Sequence, residues 1–277
     1  MSTVPEASAL NAPVSLVTGS ARRLGREIAW RLARDGHDIA VHAHRIDSDA
    51  EATCAAIRAL GRRCDIFEAD FIDEAATEAL LPAVIERFGG VDAVVHNASM
   101  FQHDDLSNFG YAALASHACA NAGSAVLLAR GLERHLRGTS RSGALVLLLD
   151  QRLWNPNADY LSYALGKSML GHLVPLLARA LAPAVRVVGV APGLTLGSAL
   201  IDERRLTALG ERSLTGRAVQ SDEVADAVAF ALRNRALTGS NLLVDAGYHL
   251  QPMARDFAFL EDADLPAVSS LATGRLR

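Results

Sequence analysis

The chain has 277 residues, half of them apolar and 21% charged, which is too apolar for a disordered chain and suits one large domain or two small ones. Its 27 basic and 31 acidic residues leave a net charge of −4, so the strongly basic balance of a nucleic-acid-binding protein is absent and no nucleic-acid partner is expected. A chain of this length buries most of its unfolded surface and needs no disulfide or metal staple.

Val14 to Thr18 is a short apolar run ending at Gly19. Helical spacing of Leu24, Ile28 and Leu32 predicts a helix over Arg22 to Arg34, stopped by Gly36. Asp38 to Ala43 reads as the second strand, Ala50 to Leu60 as the second helix and Cys64 to Ala69 as the third strand. Glu74 to Phe88 is a helix closed by Gly89-Gly90, and Val91 to His96 is the fourth strand. Leu106 to Arg137 reads as largely helical, Gly143 to Leu149 as the fifth strand, and Leu161 to Leu181 as a helix despite Pro175. Val185 to Val190 and Leu242 to Asp245 are the sixth and seventh strands. This alternation implies crossover units and a parallel sheet covered on both faces, in a single doubly wound α/β domain of Rossmann type. The expected division is an extension over 1–13, the domain over 14–251 and a tail over 252–277. Gly193 to Gln220 and the tail from Pro252 to Arg277 fit the pattern poorly.

Cys54, Cys64 and Cys119 form no CxxC and are expected to be small buried hydrophobes in a reducing compartment. The first basic residue is Arg22, and the longest apolar run is Ala144 to Leu149, so neither a secretory signal nor a membrane partner is expected, and the location is read as cytoplasmic. Lys167 is the sole lysine among the 27 basic residues, which singles it out before any motif is considered.

Ligands of doubly wound sheets bind at the carboxyl ends of the strands, so the loops after strands should carry the chemistry. Thr18-Gly19-Ser20-Ala21-Arg22-Arg23-Leu24-Gly25 joins the first strand to the first helix. Gly19 permits a tight turn, Gly25 permits close packing of helix on strand, and the helix-start amides can face a pyrophosphate. The second strand ends His42-Ala43-His44-Arg45 instead of in an acid, and Asp47 comes only after the arginine. With Arg22 and Arg23 close by, that corner suits the extra phosphate of NADP better than the ribose hydroxyls of NAD. His42 and His44 could also merely alternate on the strand; no third ligand points to a metal, and none is expected.

Tyr163 and Lys167 lie four apart on one helical face, where the ammonium would lower the tyrosine's pKa and ready it to exchange a proton with substrate. The glycine turn, Asn97-Ala98, Tyr163-x-x-x-Lys167 and Pro192-Gly193 together resemble the short-chain dehydrogenase/reductase family, over about Val14 to Leu250. The resemblance implies a seven-stranded parallel sheet, an NADP cofactor, and a homo-dimer or homo-tetramer acting on a small molecule. It also implies a proton relay through Asn121, and cofactor contacts from Gly193, Leu194 and Thr195 beside Pro192. Asp70, Asn97, Ala98 and Ser99 join the implied cofactor set.

The departure from the family pattern is at Asp150, where most members carry a serine that donates to a substrate carbonyl. An ionised carboxylate would repel a developing alkoxide, but accepts from ring N–H donors or relays a proton towards a ring nitrogen through Tyr163. A turn-capping role for Asp150 is the plain alternative. Here the chain resembles the pteridine reductases and the bacterial dihydromonapterin and dihydrofolate reductases. His42-Ala43-His44-Arg45 looks like their phosphate segment, although Ile46 replaces a usual serine. Arg23 matches an arginine that reaches phosphate and pterin. Asn97-Ala98-Ser99-Met100-Phe101 matches a segment whose phenyl ring sandwiches a flat pterin against the nicotinamide; a greasy lid is the bland reading of Phe101. Arg23, Ser99, Phe101, Asp150 and Tyr163 form the implied substrate set. A 3-oxoacyl thioester reductase is the rival enzyme, and a non-catalytic nicotinamide sensor the rival outside enzymes. Trp154-Asn155-Pro156-Asn157 is placed at the substrate pocket by its position. Phe257, Phe259 and Leu260 in the tail are expected to pack on a neighbouring subunit.

Overall fold

The computed structural model describes residues 12–260. Seven parallel strands form one sheet: β1 (Val14–Val17), β2 (Asp38–Ala43), β3 (Cys64–Glu68), β4 (Ala93–His96), β5 (Gly143–Leu148), β6 (Val185–Pro192) and β7 (Ser240–Val244). Their spatial order is β3-β2-β1-β4-β5-β6-β7. The order reverses between β1 and β4, and there the crevice for a ligand opens at the strands' carboxyl ends.

Adjacent residues in the central strands serve opposite faces, as the period of two requires. Leu16, Val94, Leu145 and Val187 point into one core, against Leu80 and Val84 of α3 (Glu74–Phe88), Leu128 and Leu132 of α5 (Ser124–Leu136), and Leu170 and Val174 of α6 (Leu161–Ala180). Val17, Val95, Val146 and Val188 point into the other. That core is closed by Ile28 and Leu32 of α1 (Arg23–Arg34), Cys54 and Ile57 of α2 (Ser48–Ala59), and Val224 and Val228 of α8 (Ser221–Arg233). All seven strands overlap their predicted ranges, with ends that differ by at most two residues.

Two expectations about the helices and cysteines are corrected. The predicted helix over 106–137 starts only at Tyr111, as α4 (Tyr111–Ala118), and passes through a π-helical turn, Cys119–Gly123, before α5. Cys119 sits on that turn and is exposed, whereas Cys54 and Cys64 are buried. The stretch Tyr111–Leu136 is long and apolar enough to cross a membrane by composition, and here it packs against α3 and α6. The segment after β6, which fitted no pattern, contains α7 (Glu203–Gly210), and α8 follows it. The start of α8 carries a readable signal: the Glu223 carboxylate accepts from Gln220 N–H at 2.9 Å, closing the first turn.

The described part of the tail packs on its own chain, which corrects the reading of Phe257 and Leu260 as side chains left for a neighbour. Met253, Phe257 and Leu260 are buried in a satellite core with Leu194, Ile201, Leu209 and Tyr248 of the same chain. The remainder of the expected tail, 261–277, and residues 1–11 of the expected extension lie outside the described residues.

Candidate active site

The glycine turn is held by three strands. Thr18 Oγ1 accepts from the backbone N–H of both Asn97 and Ala98, each at 2.9 Å, tying the end of β1 to the loop after β4. The Asn97 amide donates back to the carbonyls of Thr18 and Gly19, at 3.0 and 3.1 Å. Gly19 has φ +61°, in the left-handed region that favours glycine. A Cβ on Gly25 would stand 2.2 Å from Gly19 O and 2.6 Å from Asn97 Nδ2, so helix and turn meet here backbone to backbone. Leu24, half-buried, packs against the core on this side of the sheet. The turn fits the pyrophosphate of a dinucleotide by this close approach.

His42 is corrected. Its ring is buried and stacked on Phe71 at 4.4 Å, Nδ1 accepts from Gly19 N–H at 3.0 Å, and Nε2 faces Ala69 O at 3.1 Å. Burial lowers its pKa to about 4, so it is a neutral brace for the turn instead of a phosphate ligand. The exposed basic side chains at this corner are Arg22, beside Asp49 at 3.6 Å, His44, beside Asp70 at 3.8 Å, and Arg45. Asp47 is spent on capping α2, accepting from Ala50 N–H at 2.9 Å. The corner therefore fits a phosphate better than ribose hydroxyls. Arg23 has a left-handed backbone, φ 55°, and its guanidinium donates to Gly197 O at 2.8 Å across the cleft.

At the other end of the crevice Pro192 closes β6, and Gly193 N–H donates to Val244 O at 2.9 Å. Thr195 Oγ1 turns back to Gly193 O at 2.9 Å. The Leu194 side chain is buried in the satellite core, which leaves its backbone for a cofactor contact.

Tyr163 and Asp150 are brought into direct contact. The Tyr163 hydroxyl donates to Asp150 Oδ2 at 2.7 Å, and Asp150 Oδ1 accepts from Arg152 N–H at 2.9 Å, capping the turn Gln151–Leu153. The carboxylate thus both caps and serves the site. Lys167 is buried, donates to Leu148 O at 2.6 Å, and lies 5.7 Å from the centre of the Tyr163 ring. Burial lowers its pKa to about 8, partly offset by Asp150. The expectation that Lys167 lowers the Tyr163 pKa is overturned in the ligand-free protein: burial, then the Asp150 charge, push the phenol well above its ordinary value. Tyr163 is held as a proton donor.

Asn121 lies on the π-helical turn and is fully buried. It accepts from Met100 N–H at 2.8 Å and Ser99 Oγ at 3.2 Å, and donates to Met100 O at 3.2 Å. Among the described residues it braces the loop after β4 and bonds neither Tyr163 nor Lys167. Phe101 is half exposed, stacks on Tyr160 at 4.3 Å and meets Tyr163 edge-on at 4.7 Å. One of its faces is therefore taken by Tyr160.

Arg152, Tyr160 and Asp256 were not anticipated. Tyr160 stands left-handed, φ 55°, at the start of α6. Arg152 is buried among Tyr160, Tyr163 and Asp256. Its place directly after Asp150-Gln151 was a usable signal, whereas no spacing rule links either residue to Asp256. Asn155 is corrected from pocket lining to anchor: its amide donates to Tyr248 O at 3.1 Å and Gln251 O at 2.5 Å, and its Oδ1 accepts from Met253 N–H at 3.3 Å.

A family model described as Enoyl-(Acyl carrier protein) reductase matches residues 19–249. The chain is 30% identical over 242 residues to a dihydromonapterin reductase of Shigella boydii serotype 4 (strain Sb227), covering 85% of this chain and 96% of that one. The crystal structure of FolM alternative dihydrofolate reductase 1 from Brucella suis, in complex with NADP, superposes with a TM-score of 0.82 at 33% identity, over 87% of this chain and 96% of that one. LugOII, a promiscuous reductase catalysing keto-reduction at C1 during lugdunomycin biosynthesis, superposes at 0.78 with 26% identity, over 86% and 98%. With the strand order, the glycine turn and the tyrosine–lysine helix already in place, these matches leave one assignment: the chain belongs to the short-chain dehydrogenase/reductase family.

Proposed function

We propose that this protein is an NADPH-dependent reductase of a C=N bond in a pterin-type substrate. NADPH is favoured over NADH by the exposed Arg22, His44 and Arg45 and by the commitment of Asp47 to a helix cap. The dihydromonapterin reductase and the NADP-bound FolM structure support both cofactor and substrate class.

The observation that carries the substrate reading is the Tyr163–Asp150 bond of 2.7 Å. A carboxylate beside the proton donor repels the oxyanion that forms when a ketone is reduced, and a site for that reaction needs donors instead. A pterin presents ring and amino N–H donors, which a carboxylate accepts, and it has a ring nitrogen that takes up the proton. When bound, the reduced nicotinamide supplies the hydride. Tyr163 Oη holds the proton destined for the ring nitrogen, and Asp150 accepts from the pterin and orients it. Phe101, with its free face, stacks on the flat ring. Lys167, Asn97 and the glycine turn fit the ribose and pyrophosphate. Asn121 keeps the Ser99–Phe101 segment in place.

NADPH oxidation with dihydromonapterin, dihydrobiopterin or dihydrofolate, beside an acetoacetyl thioester, tests this. Turnover of a dihydropterin is expected, and turnover of the thioester alone would assign the protein to carbonyl reduction.

A further inference from the structure

Arg152 is a buried guanidinium whose nitrogens are unequally engaged. Nη1 donates to Asp159 O at 3.0 Å, and Nη2 bonds the Asp256 carboxylate. Nε makes no hydrogen bond, is shielded from solvent, and lies 3.6 Å from Asp150 Oδ2, the oxygen that accepts the Tyr163 hydrogen bond. The guanidinium carbon stands 5.1 Å from the Tyr163 ring centre and 5.8 Å from that of Tyr160. A bare donor buried this close to a carboxylate is costly unless its charge is used.

Asp256 arrives from the C-terminal segment, more than a hundred positions along the chain. Its backbone N–H donates to Asp159 Oδ2 at 2.7 Å, and Arg255 pairs with the same carboxylate at 2.9 Å. Asn155 ties the start of the segment down, and Phe257 and Leu260 bury its end. The segment thus forms a wall beside Arg152, and among its described residues Asp256 is the buried charge that faces Arg152.

We propose that Arg152 is a positioning residue that keeps Asp150 an anionic acceptor, and that Asp256 of the C-terminal segment sets how strongly it does so. The proposal rests on the pterin reading, in which Asp150 must accept. The charged and titratable groups facing Asp150 are Arg152 on its own turn, Tyr163 and Lys167 from α6, and Asp256 from the C-terminal segment. Arg152 is the permanent cation nearest the Tyr163-bonded oxygen, because Lys167 is directed to Leu148 O. Burial raises the Asp256 pKa while Arg152 opposes that rise, and Asp150 and Asp256 both favour the Arg152 charge against its burial. The two carboxylates share one guanidinium, so weakening one pairing strengthens the other.

The test is the pH profile of kcat/KM for NADPH oxidation with dihydromonapterin, in the wild-type protein and in Arg152→Gln, Arg152→Lys and Asp256→Asn, with calorimetric binding of dihydromonapterin as a second readout. Loss of the cation should move the low-pH limb of Arg152→Gln to higher pH, because a neighbouring cation favours a charged carboxylate. Arg152→Lys should return the limb towards the wild-type position. Asp256→Asn should move it the opposite way, to lower pH, because the Asp256 carboxylate then no longer competes with Asp150 for Arg152. Pterin affinity in Arg152→Gln should fall on acidification at a higher pH than in wild type. Opposite displacements cannot come from a merely structural role, which would lower activity without moving the limb. Wild-type turnover of the pterin with unmoved limbs in folded variants overturns the role of Arg152 alone. Turnover of only an acetoacetyl thioester by wild type overturns the pterin reading and this proposal together.

Discussion

Tyr163 donates its hydroxyl proton to Asp150 Oδ2 at 2.7 Å, while the other oxygen of the same carboxylate caps the turn Gln151–Leu153. One side chain therefore fixes the backbone after β5 and sets the polarity of the site. Asp150→Ser should lower kcat for a dihydropterin by about 10²-fold or more, the usual worth of a positioned acid–base group. The thioester activity of the same variant should rise, because serine donates to an oxyanion. Steady-state NADPH oxidation with both substrates checks this; equal losses on both would sink it.

Tyr163→Phe separates chemistry from folding. It removes one buried hydrogen bond and should cost about 1 kcal/mol of stability. Turnover should fall by about 10²- to 10⁴-fold, since Tyr163 is held as the proton donor. Pterin binding with NADP present should persist in calorimetry, because the Phe101 face and Asp150 remain.

Gly25→Ala places a methyl 2.2 Å from Gly19 O, a contact that backbone must move to relieve. Overpacking of this kind costs about 2 kcal/mol. The shift falls on the turn that fits the pyrophosphate, so the dissociation constant for NADPH should rise at least about tenfold if roughly 1.4 kcal/mol of that cost is felt in binding. Fluorescence titration of NADPH and urea denaturation measure the two effects; unchanged cofactor affinity would separate the turn from binding.

His42 and His96 make stability fall on mild acidification. Burial lowers their pKa values to about 4 and about 3, below the ordinary 6.5, so between about pH 6.5 and those values only the unfolded chain binds the protons. Stability is fullest above pH 6.5 and declines as pH falls through that window. Each histidine should contribute a loss of about 2 kcal/mol between pH 7 and 5. Burial lowers His37 too, adding in the same direction. Glu223, with a pKa of about 2 set by Arg217, titrates below this range. Urea denaturation at pH 7 and 5 should show the decline, and His42→Gln should remove a clear part of it.

Lys167 acts at the alkaline end. Its folded pKa of about 8 lies below the ordinary 10.5, so between those values the unfolded chain holds the extra proton. This residue alone therefore makes the ligand-free protein more stable as pH rises from 8 to 10. Lys167→Met should flatten that slope by up to one proton in denaturation curves, and should abolish most activity if Lys167 positions the ribose. A variant with the wild-type slope would show that the buried amine is not the titrating group.

The sheet and its order of helices were legible because each central strand is an apolar run and each helix repeats its apolar residues at helical spacing. The pairs Leu16/Val17, Val94/Val95, Leu145/Val146 and Val187/Val188 supply both cores by alternation alone. The glycine turn, Tyr163, Lys167 and Asp150 were legible because chemistry demands those residue types at loop ends and at one helical turn. The break in the helix at Cys119–Gly123 was not, because a π-helical turn leaves the residue types of a continuous helix in place.

What the sequence determined by itself was the architecture and which residue types stand at the strand ends and on one turn of α6, since both depend on local periodicity and short spacings. Only the tertiary structure decided which protonation each group holds and what surrounds it. His42 became a neutral brace because Phe71 and the β1 turn bury it. Tyr163 became a firm proton donor because burial, and then the Asp150 carboxylate 2.7 Å from its hydroxyl, oppose loss of its proton. Arg152 entered the site because Asp256 reaches it from 104 positions away. Burial and through-space charge depend on distances between segments, and no spacing along the chain encodes them.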